Sequence, residues 1–319
     1  MPATTASAPG KTILVGEHAV VYNQPAIAVP VAGVRIKVIL QANPLGASGE
    51  VHIIAPDVSL DADLNDLKPQ HPLRFAIQTV LDHFQIAALP ALQVRINSTI
   101  PPASGMGSSA AVSVALIRGV SAFIGHPLDD VTVNRLAYQV ETLQHGNPSG
   151  IDNTVITYAR PIFFTRESPF EVLQVAEPVS LVIAGSGIRA STAEMVAGVH
   201  RRRQDHPRQY LDYFNQMGAI SRKVRQALEQ GPVTVLGSLL TENQRLLEKI
   251  GVSNATLEKL VDVAIDAGAL GAKLTGSGGG GNIIAQAGPG QAEKIAEALK
   301  SAGAVSTAIW TIPANKMGA

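Results

Sequence analysis

Residues 101–111 read PPASGMGSSAA and stand directly before a long apolar run. Gly105 and Gly107 admit positive φ and let the main chain come close to whatever sits there. A helix beginning at Ser108 or Ser109 has first-turn N–H groups with no intrahelical acceptor. Serine side chains can cap one or two of them, and a capped helix after a tight turn would account for the loop. Two prolines and two glycines feeding an all-apolar helix point further, to a phosphate cradled by main-chain amides at a helix N-terminus. A helix dipole favours an exposed anion by only about 0.3–1 kcal/mol. A triphosphate would therefore need a lysine and a divalent cation supplied from elsewhere in the chain.

Upstream of this loop, β-branched segments broken by Gly and Pro predict strands at TILVG (12–16), AIAVPVAGVRIKVIL (26–40) and VHIIA (51–55). LRFAIQTVLDHF (73–84) has helical spacing, and LQVRINSTI (92–100) alternates as a half-buried strand. Downstream, SAAVSVALIRGVSAFIG (109–125) is apolar on nearly every face, as expected of a helix buried on all sides. DDVTVNRLAYQVETLQH (129–145) predicts a second helix ending at the turn GNPSG, and TVITYARPIFF (154–164) reads as strand. The polar TRESPFE (165–171) sets the expected domain boundary, giving domains 1–170 and 171–319. Beyond it come a strand at 180–187, helices over about 191–230, 233–250 and 253–267, and a strand–helix–strand tail.

Composition narrows the function classes. The 319 residues, 46% hydrophobic and 16% charged, are globular rather than disordered. Zero formal net charge gives no bulk field for nucleic acid or an anionic membrane, so neither is expected as a partner. No cysteine is present, which removes disulfides, thiolate metal sites and thiol nucleophiles and fits a reducing compartment. MPATTASAPGK has no charged-then-apolar leader pattern, and no apolar run approaches the about 20 residues of a bilayer span. A soluble, cytoplasmic protein is the expectation.

Two glycine patterns invite a dinucleotide reading. Gly105-x-Gly107-x-x-Ala110 lies between strand and helix, but Asp129 and Asp130 open a helix where a second parallel strand with its acidic residue should stand. Gly276-x-Gly278-x-x-Gly281 is followed by a strand instead of a helix. No Walker A loop occurs. TGSGGGG (275–281) is flanked by apolar strands, so it is expected to pack main chain against main chain or against a ligand.

Three stretches, APGKTILVGEHAVVY (8–22), PPASGMGSSAA (101–111) and KLTGSGGGG (273–281), resemble in order the three signature motifs of the GHMP small-molecule kinases. GEHAVVYNQPAIAVPV (16–31), HGNPSGIDN (145–153) and MVAGVHRRR (195–203) are most similar to members of that family that act on mevalonate. Met106 departs from the leucine usual in the second motif. The resemblance implies an α+β, two-domain GHMP kinase fold. Its N-terminal domain would be ribosomal-protein-S5-like and its C-terminal domain ferredoxin-like, with the active site in the cleft between them. It further implies ATP and Mg²⁺ as cofactors, a small-molecule acceptor (mevalonate, in the mevalonate route to isoprenoids), and is compatible with a homodimer.

Residue roles follow from the same resemblance. Pro101, Ser104, Gly105, Met106, Gly107, Ser108, Ser109 and Ala110 would hold the ATP phosphates, with Ser109 and Glu141 on Mg²⁺. Read from periodicity alone, Glu141 flanks an apolar stripe and would be equally ordinary as a solvated carboxylate. Asp152 would be the catalytic carboxylate, although a turn-forming aspartate after Ser-Gly is its plain alternative. Lys11 would stand beside it, countering charge on the moving phosphoryl group, and both would touch the acceptor. Glu17 and His18 would line the acceptor pocket, and Thr275, Gly276, Gly278 and Gly279 form the third motif. Arg35, Lys37 and Arg201–Arg203 read as solvated faces. A sister kinase acting on phosphomevalonate, galactose or homoserine, and a decarboxylase of the same superfamily, share this machinery; a non-catalytic sensor would be expected to lack Lys11 or Asp152.

Overall fold

The structure, a computed structural model, describes residues 3–101 and 105–314. In chain order the elements begin with β1 (Thr4–Val15), β2 (Ala26–Ala42), β3 (Val51–Ala55), β4 (Leu60–Asp63), α1 (Pro72–Phe84) and β5 (Leu92–Ser98). Next come α2 (Ser108–Phe123), α3 (Asp130–His145), α4 (Ile151–Tyr158), β6 (Ile162–Phe164), β7 (Glu171–Val172) and β8 (Val179–Gly185). The chain continues with α5 (Thr192–Asp205), α6 (Pro207–Gln230), α7 (Leu236–Lys249) and α8 (Ala255–Asp266). It ends with β9 (Gly271–Thr275), β10 (Asn282–Ala287), α9 (Ala292–Ser301) and β11 (Ser306–Ile312). Two compact units emerge. The first gathers the residues up to Lys11, Pro30 to 101 and Gly107–Ala159; the second holds Thr12–Val29, Gly105 and Met106, and the chain from Arg160 onward.

In the first unit, Ile36–Ala42 of β2 pairs antiparallel with β5, β5 runs parallel to β3, and β4 closes antiparallel on β3. α2 lies on this sheet at Gly119, where a Cβ would come 2.7 Å from Leu40 Cδ1. Val114, Leu116, Ile117 and Val120 of α2 are all enclosed, as its all-round apolarity predicted. Its one charged side chain, Arg118, reaches Asp130 and the Thr157 carbonyl.

The segment TVITYARPIFF, expected as strand, divides: Ile151–Tyr158 is helix α4 and only Ile162–Phe164 is strand. Strand propensity reflects fit to a half-buried pleat, and packing overrides it here. Val155 and Ile156 are buried in a helix packed against α2 and α3, and the Thr154 hydroxyl donates to the Gly150 carbonyl at 2.6 Å. The expected helix over 191–230 is likewise two helices, because Pro207 opens α6 and disfavours continuous helix through His206.

The second unit contains the antiparallel sheet β11-β8-β10-β9. The order strand, helices, strand, strand, helix, strand with this spatial arrangement is the ferredoxin-like pattern. α7 meets β9 on bare backbone. A Cβ on Gly237 would lie 2.2 Å from the Leu270 carbonyl oxygen, and one on Gly271 would lie 1.8 Å from the Gly237 carbonyl oxygen. That contact delivers Asn243 and Gln244 of α7 to β9, where Gln244 accepts from the Leu274 N–H at 2.8 Å. Among the described residues no helix is long and apolar enough to cross a membrane. Gly237→Ala is expected to lower unfolding stability by about 1–3 kcal/mol through overpacking, read by urea denaturation.

Candidate active site

Lys11, Ser109, Glu141 and Asp152 all lie in the first unit. Lys11, on β1, is buried, and its Nζ stands 2.9 Å from Asp152 Oδ1. Asp152 occupies the first turn of α4, whose N-cap is Gly150, an end of a helix that favours negative charge. Gly107 closes over the lysine stem: its φ is +71°, and a Cβ there would stand 2.8 Å from Lys11 Cγ and 2.9 Å from Ile156 Cδ1. Only glycine serves both demands.

Ser109 does not cap its helix. The N-cap of α2 is Gly107, which has no side chain to cap the first turn, and the Ser109 hydroxyl donates to Glu141 Oε1 at 2.6 Å. The plain alternative of a helix capped by Ser109 is thus not what the structure has. The amide of Gln144 also meets the Ser109 hydroxyl, a contact the sequence reading missed.

Glu141 is 4% exposed, so the solvated alternative does not hold. Burial raises its carboxyl above the usual range, and the negative charge of Asp152 adds to this; the Ser109 hydrogen bond, His145 and Lys11 pull the other way. His145 Nε2 stands 3.7 Å from Glu141 Oε2. Among the described residues no three His, Cys, Asp or Glu side chains form a cluster able to hold a metal ion. One hydroxyl and one carboxylate fit a different chemistry, that of Mg²⁺, which usually takes one or two protein oxygens and completes its shell with phosphate and water.

Of the remaining loop residues, Gly105 has φ +70°, Met106 and Ala110 are buried, Ser108 is half-buried, and Pro101 is half-buried at the loop's start. Ser104 lies outside the described residues.

The second unit holds the other motif residues. Glu17 and Lys273 form an ion pair at 1% and 0% side-chain exposure, and Asn243 Nδ2 donates to Glu17 Oε2 at 3.2 Å. Burial lowers the Lys273 pKa, while the charge and hydrogen bond of Glu17 oppose that shift. Removing one partner of such a pair costs about 3–5 kcal/mol, because the other is left buried and uncompensated. His18 follows with φ 59° and ψ −45°, and the Ala19 N–H donates to the Glu17 carbonyl at 2.6 Å. That is a γ-turn of the rare positive-φ kind, a conformation costing on the order of 1–3 kcal/mol. His18 Nε2 lies 2.9 Å from the Ser277 carbonyl, which can only accept, so Nε2 carries the proton and Nδ1 a lone pair. Burial lowers the ring's pKa to about 4, which keeps it neutral.

Thr275 donates to the Ile13 carbonyl and accepts from the Ile13 N–H, with the Thr12 hydroxyl 3.0 Å away. The glycine stretch packs main chain on main chain: a Cβ on Gly278 would fall 2.1 Å from the Val252 carbonyl oxygen, to which the Gly279 N–H donates at 2.8 Å. Gly276, Gly278 and Gly279 all have positive φ. Arg35 and Lys37 are exposed as expected, but Arg202 and Arg203 are not free faces. Arg202 donates to the Ile250 and Gly251 carbonyls beyond the end of α7, and the Arg203 guanidinium lies 4.9 Å from the Tyr22 ring centre.

Residues 72–160 match the GHMP kinases N terminal domain, and residues 224–305 match the GHMP kinases C terminal domain. The chain is 36% identical to a mevalonate kinase of Pyrococcus horikoshii over 94% of its own length and 93% of the relative's. It is 34% identical to that of Methanothermobacter thermautotrophicus, covering 93% and 94%. Among solved structures, the L. major mevalonate kinase in complex with R-mevalonate superposes with a TM-score of 0.85 at 32% identity, over 98% of this chain and 96% of that one. With both domain models matched and kinship at this level along nearly its whole length, the chain belongs to the mevalonate kinase family of GHMP kinases.

Proposed function

We propose that the enzyme transfers the terminal phosphoryl group of ATP to the primary hydroxyl of (R)-mevalonate, giving 5-phosphomevalonate and ADP. The observation carrying this reading is the 2.9 Å Lys11–Asp152 pair, whose two charges act on Glu141, with Ser109 bonded to Glu141 in the same unit.

Phosphoryl transfer commonly passes through a loose transition state, so positioning and charge neutralisation carry most of the acceleration. Asp152 orients the acceptor hydroxyl and takes its proton late, which asks for geometry more than for a strong base. Lys11 holds Asp152 in place and offsets charge on the transferring group. Gly105 to Ala110 would offer main-chain N–H groups to the phosphates at the start of α2, which opens on Gly107. Mg²⁺ held by Ser109 and Glu141 would neutralise charge on the β- and γ-phosphates. Neutral His18 presents Nδ1 as an acceptor for a donor on the substrate.

Asp152→Asn should leave ATP affinity within a few-fold while turnover falls by about 10²–10⁴. Unchanged turnover removes Asp152 from the reaction. A coupled ADP-release assay should respond to mevalonate and stay silent with phosphomevalonate, galactose and homoserine; turnover on one of these alone would reassign the acceptor.

Glu141 yields a stability prediction of opposite sign to its role. Its folded pKa lies above its unfolded value, so the stabilisation from its bound proton is present in acid and is lost as pH rises through the raised pKa. Glu141→Gln, uncharged throughout, should therefore melt higher than wild type at pH 8 without nucleotide or metal, and the gap should close toward pH 4. The same variant should bind Mg·ATP more weakly in calorimetry.

A further inference from the structure

We infer that Lys273 and Asn243 are positioning residues: acting through Glu17, they hold the strained turn that aims the His18 ring, without touching substrate themselves. The inference rests on reading His18 as a pocket residue.

Three alternate residues of one stretch grip the segment from residue 12 to residue 18. Lys273 pairs with the Glu17 carboxylate, Thr275 bonds the N–H and the carbonyl of Ile13, and the Ser277 carbonyl accepts from the His18 Nε2–H. Strand alternation puts residues 273 and 275 on one face of β9. Both Glu17 oxygens are consumed, one by Lys273 and one by Asn243, and Glu17 and Lys273 are 1% and 0% exposed. The Glu17 carboxylate is thus turned to Lys273 and Asn243. What its pairing does fix is residue 17, whose carbonyl closes the γ-turn around His18. A left-handed conformation at a non-glycine residue relaxes unless its surroundings over-determine it. Here residue 17 is pinned on one side of the turn, the imidazole on the other, and the Val20 N–H bonds Gly16 beneath. Asn243 joins because α7 reaches β9 on bare glycine. Arg202 contributes a further positive charge acting on the His18 ring.

An ion pair that merely satisfies itself and one that positions His18 predict different results. Lys273→Met alone strands the Glu17 carboxylate and should melt earlier; the neutral double variant Glu17→Gln/Lys273→Met should recover most of that loss. Charge-assisted bonds are about twice as strong as neutral ones, so the double variant still loosens the turn. We expect its mevalonate KM to rise about tenfold while the ATP KM stays within twofold. Imidazole ¹⁵N spectra, assigned with His18→Gln, should lose the single Nε2–H tautomer. Asn243→Leu, which keeps both charges, should move KM and spectrum in the same direction by a smaller factor, and it serves if Lys273→Met fails to fold. Folded variants with wild-type KM and an unchanged His18 spectrum would overturn the inference. Should the wild type itself ignore mevalonate, the function reading fails, and the spectra alone then decide the positioning role.

Discussion

An ammonium group taken out of water is tolerable only against a carboxylate, and two lysines of this chain obey that constraint. Lys11 gives up solvent beside Asp152, and Lys273 beside Glu17. The two pairs differ in enclosure. Asp152 keeps a third of its side-chain surface open, while Glu17 and Lys273 keep essentially none. A half-open carboxylate can still meet a substrate; a sealed one can only shape its surroundings. Under the proposed reading, chemistry falls to the half-open pair and architecture to the sealed one.

Glycine supplies the second constraint. Lys11 is covered by Gly107 because any side chain there would collide with its stem, and α7 lies on β9 because Gly237 and Gly271 leave nothing between their backbones. In each case a close approach of main chain sets the position of a charged or amide side chain several residues away. The Arg202 contacts belong to the same economy, since its guanidinium supplies donors to carbonyls that follow the end of α7.

Much of this was legible in the sequence. The loop glycines declared their positive φ, the all-apolar run declared a buried helix, and the strand–helix–strand tail agreed with the ferredoxin-like unit that the family resemblance implied. Failures occurred where packing outvoted local preference. Thr154 to Thr157 look like strand and form helix, because both flanks of α4 are covered by α2 and α3. Glu141 sits one step off an apolar stripe, and periodicity does not say whether such a residue meets water or a hydroxyl. The partners of Lys273, Asn243 and Arg202 had no local signal, since they lie 256, 226 and 48 positions away. Lys273 did stand inside the third motif, and a lysine set between apolar strand residues was the available hint.

The start of α2 has a dynamic corollary. A helix whose N-cap is glycine lacks the N-cap side-chain bond that usually discourages fraying at that end. Seating an anion there would couple occupancy to local order, so amide protons at the beginning of α2 would exchange with solvent more slowly in the loaded enzyme. Binding would then be registered in the backbone of one helix before any bond to phosphorus changes.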